Sequence, residues 1–370
     1  MNAAISYFPE LPLAPVCNLQ FMLSSGVRRV HQVDQGRSGK GTAGTAASIL
    51  GAVLLTLGLL ACTAPPSDPG SPPTTLFPLP APPAEFSVLS YNVAGLPQEV
   101  SKENPKTHLP MISPLLNAYD VVLTQEDFDW WQPAAGILDF TNYHTRLRAQ
   151  ATHPYRTDRH PGPAAVGINP AARPLLVGDG IGVISRFPLT AEAHGAWTGC
   201  YGDAFTGAGD CLAMKGFRVV TMTLGDGREV DVYSLHAEAG SGDLDQALQV
   251  KDFEQLSLFI QSRGGDRAII LGGDTNLHID EGYPESNTGE VDRVIWEQFL
   301  NSTGLTDVCA ELACGTPGSI DKFAYRSNSS VQLAATGIEF PAERFTASTG
   351  EALSDHTPVV ATFRWNIPAG

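Results

Sequence analysis

Residues 268–276 read Ala-Ile-Ile-Leu-Gly-Gly-Asp-Thr-Asn. The apolar run predicts a short buried strand, and a glycine pair follows it. Glycines allow a sharp turn and let a ligand come close to the backbone, so we expect Asp274 and Asn276 to face such a ligand. Taken alone, the same letters are also typical of an ordinary β-turn, and that alternative stays open.

The pattern of an apolar strand that ends on a polar side chain recurs along the chain. One predicted strand ends on Asn92 and another on Glu126, which places polar groups at a sheet edge that faces a cleft. A helical pattern covers residues 244–260, where Leu244, Leu248, Phe253, Leu256 and Ile260 can share a face. The predicted strands are residues 86–92, 120–126, 181–185, 217–224, 229–236, 267–274 and 357–363. Strands interleaved with helices and hairpins predict an α/β fold with two sheets packed face to face and helices outside.

A second polar segment, Ser354-Asp355-His356, stands just before the last predicted strand. A carboxylate beside a histidine supplies a metal ligand or charge partner together with a group that moves protons near neutral pH. An Asp-His pair at a strand start is also common on protein surfaces. The functional interpretation is favoured because several such segments occur in one chain.

The N-terminal region has the features of a bacterial export signal. Residues 49–60 are almost wholly apolar, follow a basic stretch and lead into Cys62. The run is short for a membrane span but suits a signal peptide, and the small residue before Cys62 resembles a lipobox, in which the cysteine receives lipid. An ordinary secretory signal or an uncleaved helix is the alternative. Met1 and Met22 are both candidate start residues.

These features divide the chain into three predicted parts. Residues 1–61 form the leader, residues 62–84 form a proline-rich extended tether, and residues 85–366 form one globular domain. We therefore expect an extracytoplasmic protein that is either lipid-anchored to a bacterial membrane through Cys62 or secreted.

Charge and cysteine content narrow the classes of function. The chain carries 23 Lys and Arg against 39 Asp and Glu, a net charge of −16, which disfavours a nucleic-acid partner without excluding one, because a bound divalent cation adds positive charge. In the globular part the cysteines form two close pairs, and we predict two disulfides in an oxidising compartment. A four-cysteine zinc site is the alternative, but it requires tighter spacings. The disulfide candidates are Cys200 with Cys211 and Cys309 with Cys314.

Six short segments, taken in order, resemble the endonuclease/exonuclease/phosphatase superfamily, the fold of deoxyribonuclease I. The resemblance covers residues 86–364 and implies a four-layer α/β sandwich of two packed mixed β-sheets flanked by helices. It also implies a metal-dependent phosphodiester hydrolase whose catalytic domain is residues 85–366. The six segments are residues 90–93, 124–126, 234–236, 273–276, 319–321 and 354–356.

The resemblance implies a role for each matching residue at a metal site. Glu126 corresponds to the principal Mg²⁺ ligand, Asn92 lies beside it, and Asp355 corresponds to a further carboxylate of the metal site. Carboxylate and amide oxygens select Mg²⁺, or Mn²⁺, over zinc.

The remaining matches correspond to residues that act on the substrate. His356 corresponds to the catalytic base and Asp321 to its support, while Asp274 and Asn276 correspond to the pair that orients nucleophile and phosphate. His236 matches a histidine that contacts the phosphate or assists the leaving group. For His236 a structural role at the end of a strand is the main alternative.

The segment at residues 210–217 resembles the bacterial neutral sphingomyelinase branch, as do residues 153–155 and 236–238. Together with export and an acidic body, this favours a membrane phospholipid or sphingomyelin as substrate, with nucleic acid less favoured, and we expect a monomer. Trp130 and Trp131 are candidates for membrane contact, although adjacent tryptophans are also typical of a core. The alternatives are a secreted deoxyribonuclease I-like endonuclease and a non-catalytic lipoprotein that retains the fold.

Overall fold

The computed structural model describes residues 85–98, 101–128, 143–158, 178–203, 206–279, 288–316 and 319–366. The chain divides into two compact units, residues 1–74 and 75–370, and every described residue belongs to the second. The predicted leader, Cys62, the tether and the Trp130-Trp131 pair lie outside the described residues. Among the residues that are described, none of the helices has the length and apolar character needed to cross a membrane.

The described parts of the chain contain five α-helices and twelve β-strands. The helices are α1 (Pro105–Leu115), α2 (Tyr143–Arg148), α3 (Asp243–Arg263), α4 (Thr288–Thr303) and α5 (Val308–Leu312). The strands are β1 (Glu85–Asn92), β2 (Val121–Gln125), β3 (Tyr155–Arg156), β4 (Gly182–Ser185), β5 (Leu189–Ala196), β6 (Gly216–Thr223), β7 (Glu229–His236), β8 (Ile269–Asp274), β9 (Thr306–Asp307), β10 (Asp321–Arg326), β11 (Gln332–Glu339) and β12 (Val359–Asn366).

The strands of the described residues form two mixed sheets of six strands each. The first sheet has the order β11-β12-β1-β2-β4-β3 and the second the order β5-β6-β7-β8-β10-β9. Near its centre each sheet contains one parallel pair, β1 with β2 and β7 with β8, whereas the other pairs are antiparallel. Parallel neighbours end at the same edge of a sheet, so the residues that follow β1 and β2 are brought together, and so are the residues that follow β7 and β8.

Three apolar clusters define four layers. The first fills the space between the sheets, the second packs the outer face of the second sheet against α3 and α4, and the third packs the outer face of the first sheet against α1 and α2. Successive residues of β8 alternate between two of these clusters, since Ile270 faces the other sheet while Ile269 and Leu271 face the helices. The predicted four-layer α/β sandwich is thus confirmed.

Helix α3 extends further than the apolar pattern indicates, and its buried face is shorter. Phe253, Leu256 and Ile260 are buried against the second sheet and α4, as expected. Leu244 is 60% exposed, so its predicted place on the buried face was wrong. It lies in the first turn of the helix, beyond the part that packs on the sheet.

The glycine pair in β8 serves packing inside the sheet and not a turn. A Cβ at Gly272 would lie 2.5 Å from the Phe323 ring, and one at Gly273 would lie 2.2 Å from the Leu235 carbonyl oxygen. The prediction that these glycines form a sharp turn and admit a ligand was wrong. Both lie within the strand, and neighbouring protein atoms occupy the space that a side chain would need.

Most predicted strands are present with small shifts at their ends. The strand expected over residues 267–274 begins at Ile269, and the last strand begins at Val359 and runs to Asn366. Two disulfides join Cys200 to Cys211 and Cys309 to Cys314, in the predicted pairing.

Candidate active site

The candidate site lies where the ends of the two sheets meet. Asn92 is the last residue of β1, and His236 and Asp274 end the parallel pair β7 and β8 and face each other in its register. Asp321 begins β10 opposite Asp274, because β10 runs antiparallel to β8. His356 arrives at the same edge just before β12, which is antiparallel to β1.

Asn92 links the two sheets through its side-chain amide. Its Nδ2 donates to Glu126 Oε1 at 3.0 Å and to Asp274 Oδ2 at 3.0 Å, while its Oδ1 accepts from the Ala94 backbone nitrogen at 3.0 Å. Asn92 is fully buried, and its bonds to Asp274 and Ala94 form away from water. Asn92 therefore fixes the distance between a carboxylate of the first sheet and one of the second.

Two histidines meet the Asp274 carboxylate. His236 Nε2 lies 3.3 Å and His356 Nε2 3.7 Å from Asp274 Oδ2. The other ring nitrogen of His356 lies 2.8 Å from Asp321 Oδ2. One ligand atom from each of Asp274, Asp321 and His356 lies within 4.8 Å of the others, a spacing that can hold a metal ion.

The close charges shift the proton affinities of these groups. Burial lowers the pKa of His356, but the carboxylates of Asp274 and Asp321 outweigh burial and raise it to about 10. Burial lowers the pKa of His236 well below its usual value, and the nearby Lys215 ammonium adds to this effect. His236 is therefore neutral, and His356 holds its proton at neutral pH.

The pKa values of the three carboxylates shift in different directions. Burial raises the pKa of Glu126. Burial also opposes ionisation of Asp274, but the two histidines and Lys215 overcome it and lower the pKa of Asp274. Burial raises the pKa of Asp321, although the His356 imidazolium opposes that rise.

Asn276 and Asp355 hold the two less central positions among the predicted site residues. The Asn276 backbone nitrogen donates to Asp274 Oδ1 at 3.0 Å, and its side-chain Nδ2 donates to the Ala237 carbonyl oxygen at 3.0 Å. Asp355 is exposed, and its Oδ1 lies 3.4 Å from Ser354 Oγ. The metal-ligand role of Asp355 stays a prediction, as do the roles of the other site residues.

Lys215 is a site residue that the sequence analysis did not assign. Its side chain is 12% exposed, its ammonium forms an ion pair with Asp210, and Nζ lies 3.4 Å from the Ala237 carbonyl oxygen. Its charge acts on Glu126, Asp274 and His236. The sequence feature that could have indicated Lys215 is its position directly before a buried strand, within residues 210–217, the segment that resembles the bacterial neutral sphingomyelinase branch.

The donor set suits a hard divalent cation. Glu126 is half-buried, one of its oxygens accepts from Asn92, and burial disfavours its charge, which a bound cation would stabilise. Glu126 Oε1 and Asp274 Oδ2 both lie 3.0 Å from Asn92 Nδ2, so two carboxylates meet there, and carboxylate oxygens favour Mg²⁺ or Mn²⁺ over zinc. The residues present therefore fit the predicted metal.

Solved structures with the same architecture include a bacterial sphingomyelinase and a bacterial toxin. Sphingomyelinase C from Streptomyces griseocarneus matches with a TM-score of 0.51 and 18% identity, over 75% of this chain and 99% of that one. A beta toxin from Staphylococcus aureus with bound magnesium ions matches with a TM-score of 0.50 and 17% identity, over 75% of this chain and 99% of that one. At these identities the similarity establishes the fold.

Sequence comparison connects the chain to a family. A sphingomyelinase of Mycobacterium tuberculosis is 31% identical over 297 residues, which are 76% of this chain and 53% of the relative. The chain thus spans about half the length of the curated relatives it matches. The model of the Endonuclease/Exonuclease/phosphatase family matches residues 89–356, which include every predicted catalytic and metal-binding residue. The chain belongs to the endonuclease/exonuclease/phosphatase family.

Proposed function

We propose that the chain is a divalent-metal-dependent phosphodiester hydrolase whose substrate is a membrane phospholipid of the sphingomyelin type. The observation that carries the proposal is the single Asp274 carboxylate met at once by Asn92, His236 and His356. Such a group of carboxylates, histidines and an amide can activate water and stabilise charge on a phosphate.

His356 is the base in this proposal. With Nδ1 protonated and donating to Asp321, the neutral ring has its lone pair on Nε2, which can take a proton from a water molecule. Asp321 holds the ring in that tautomer and stabilises the imidazolium that forms. Asp274 lies 3.7 Å from Nε2 and can orient the attacking water beside it.

The base must be neutral before it can accept a proton. The carboxylates alone raise the pKa of His356 to about 10, after burial has lowered it. A cation held by Glu126 and Asp274 would offset part of their negative charge and bring the pKa of His356 down towards neutral pH. Metal binding and activation of the base are therefore coupled through the same carboxylates.

Positive and neutral donors around the site serve the phosphate. Lys215 provides a fixed ammonium near Glu126 and Asp274, and the N–H of neutral His236 can donate a hydrogen bond to the leaving oxygen. Glu126 and Asp274 would hold the divalent ion. When bound, that ion supplies Lewis-acid stabilisation of the charge that develops on the phosphoryl oxygens.

Two observations support a lipid as the substrate: the identity of a relative and the net charge of the chain. The relative that is 31% identical is a sphingomyelinase. The chain's net charge of −16 disfavours approach to a polyanionic duplex, whereas a zwitterionic headgroup presents a single phosphodiester.

The proposal is tested by assaying the purified chain on sphingomyelin, phosphatidylcholine, phosphoinositides and plasmid DNA, with Mg²⁺ and with EDTA. We expect phosphocholine release from sphingomyelin that EDTA abolishes and that Glu126→Gln lacks. Plasmid nicking without lipid cleavage would show that the substrate is DNA and not a lipid. Phosphocholine release that survives chelation would exclude the metal mechanism, and no hydrolysis of any substrate would favour the non-catalytic alternative.

We also propose that Cys62 carries lipid and that residues 62–84 hold the catalytic domain away from a membrane. Support comes from the apolar run before Cys62, the small residue that precedes it and the prolines that follow it. Expression in a bacterial host with a radiolabelled fatty acid should label the protein, and Cys62→Ala should remove the label. An equally labelled Cys62→Ala variant would contradict the anchor.

A further inference from the structure

The backbone of Glu126 adopts a conformation that side chains rarely accept. Its φ is +54°, in the left-handed region. Two glycines make room for it, because a Cβ at Gly95 would lie 2.1 Å from the Glu126 carbonyl oxygen and one at Gly180 would lie 3.1 Å from its Cα. A left-handed non-glycine residue persists only where the surrounding structure holds it.

The next residue, Asp127, is bonded to three separate parts of the chain. It is 2% exposed, and its backbone nitrogen donates to the Gly180 carbonyl oxygen at 2.9 Å. Its Oδ2 accepts from Thr124 Oγ1 at 2.6 Å and lies 2.7 Å from Arg148 Nη1. Its Oδ1 lies 3.2 Å from His144 Nδ1. The residue that follows Glu126 is therefore fixed to β2, to α2 and to the segment before β4.

The chain is built to accommodate this buried ion pair. A Cβ at Gly182 of β4 would lie 2.0 Å from Arg148 Nη2 and 2.7 Å from Asp127 Oδ2, so only glycine leaves room for the pair. Burial opposes ionisation of Asp127, but Arg148 and His144 overcome it and hold the pKa of Asp127 well below its usual value. Both carboxylate oxygens are engaged by protein groups, so Asp127 is not free to bind a metal itself.

We infer that Asp127 is a positioning residue: through Thr124 and Arg148 it holds Glu126 in the left-handed conformation from which Glu126 meets Asn92 and binds a divalent cation. The inference rests on the proposed metal site at Glu126. Without the Asp127 carboxylate, the Glu126 backbone can relax towards right-handed or extended conformations. Its side chain would then leave the position 3.0 Å from Asn92 Nδ2.

A second buried aspartate provides a matched control. Asp231 is 1% exposed, accepts from Thr221 Oγ1 at 2.7 Å and pairs with Arg263 and Arg267 at 2.9 and 2.6 Å. It lies in β7 opposite Ile269, at the other end of the strand from His236. Loss of its charge disturbs a similar threonine and arginine arrangement without contact to Glu126.

The test is isothermal titration calorimetry of the full chain with MgCl₂ and with MnCl₂. For Asp127→Asn we expect a Kd about 10- to 100-fold weaker than wild type, the range for loss of a residue that orients a ligand. For Asp231→Asn we expect the wild-type Kd. Thermal unfolding of both variants shows that each is folded at the temperature of the titration.

A milder variant keeps the test decisive if Asp127→Asn does not fold. Thr124→Val keeps size and charge but removes one hydrogen bond to Asp127, so we expect a Kd roughly two- to tenfold weaker. Wild-type affinity in a folded Asp127→Asn variant or in Thr124→Val, or an equal loss in Asp231→Asn, would overturn the inference. A wild-type chain that binds neither metal would overturn the proposed metal site together with the inference. If the wild type binds metal, Glu126→Gln shows whether Glu126 is the binding site, because loss of affinity in this variant locates the ion there.

Discussion

Lys215 brings an ammonium into a group of buried carboxylates beside the candidate site. Asp210, Glu238 and Asp252 are each at most 2% exposed. Burial, together with the charge of Asp210, raises the pKa of Glu238 to about 9, so Glu238 holds a proton at neutral pH. The Lys215–Asp210 ion pair stabilises the remaining charges of this group.

Removal of the Lys215 charge should therefore destabilise the fold as well as lower turnover. We expect Lys215→Met to reduce the free energy of unfolding by about 3–5 kcal/mol, because Asp210 is left buried without its partner. The double variant Asp210→Asn with Lys215→Met should recover much of that loss but none of the turnover. Urea unfolding and phosphodiester hydrolysis measure the two effects, and a double variant no more stable than Lys215→Met would contradict the pairing.

The His356–Asp321 pair should give unfolding a defined pH dependence in EDTA. The pKa of His356 is about 10 in the folded chain, whereas an unfolded histidine titrates near 6.5, so the folded state binds the proton more tightly. The stabilisation is complete below about pH 6.5 and is lost as the pH rises towards 10. The difference in unfolding free energy between wild type and His356→Gln should shrink over this range in urea titrations.

His153 is a suitable control for that experiment. Burial lowers the pKa of His153, so the ring is neutral in both folded and unfolded chains above pH 7. The effect of His153→Gln should then be constant between pH 7 and 10. A constant effect of His356→Gln over the same range would show that the imidazolium is absent from the folded protein.

At the scale of residues, the membership of the candidate site could be predicted from sequence more readily than its geometry. Motif order and residue type brought Asn92, Asp274, Asp321 and His356 together, and the structure places them in contact. The left-handed backbone of Glu126 was not predictable, since it depends on distant glycines. Lys215 was missed for a similar reason, because its importance follows from carboxylates distant in sequence.

At the scale of elements, the parallel pair β7 and β8 sets the distance between His236 and Asp274. The two residues face each other in register, and the backbones approach closely at Gly273. Gly273 has a φ of +152° and leaves no room for a Cβ beside the Leu235 carbonyl oxygen. This glycine determines how closely the ends of β7 and β8 can lie.

Gly273→Ala should separate β8 from β7 next to the site. The added methyl group would lie 2.2 Å from a backbone oxygen, which cannot move as a side chain can. We expect a loss of about 1–3 kcal/mol in unfolding free energy, typical of overpacking, and a clear fall in turnover because Asp274 moves relative to His236. Gly265→Ala is the control, since a Cβ there has no atom within 4 Å. Wild-type turnover in Gly273→Ala would contradict this role.

The positions of strands were predictable where apolar runs are long, whereas the role of a residue within a strand was not predictable where a partner strand determines the packing. The alternation in β8 indicates burial on both faces, which the sequence shows as a continuous apolar run. The function of Gly272 and Gly273 could not be read from that run. It depends on Phe323 and Leu235, which come from other strands.

At the scale of the whole molecule, the candidate site is assembled from both sheets. Asn92 and Glu126 come from the first sheet, whereas His236, Asp274 and Asp321 come from the second. Besides the Asn92 bonds, a buried hydrogen bond of 3.1 Å from Gln125 Nε2 to Ser234 Oγ joins the sheets near this edge. The residue pattern predicted two layered sheets, whereas the shared site followed from family resemblance. The strand order within the sheets was not predicted, because pairing between distant strands leaves no local signal.

Because the site exists only when the sheets are packed, a bound divalent ion should stabilise the whole fold. A ligand that binds the folded state alone adds about 2.7 kcal/mol at 100 times its Kd, which corresponds to a rise in Tm of about 4–5 °C for a domain of this size. Calorimetric scans of the chain with Mg²⁺ and with EDTA measure the shift. Glu126→Gln should unfold at the same Tm in both solutions, whereas Asp231→Asn should start lower and still respond to Mg²⁺. A Mg²⁺ response retained in full by Glu126→Gln would place the ion elsewhere in the protein.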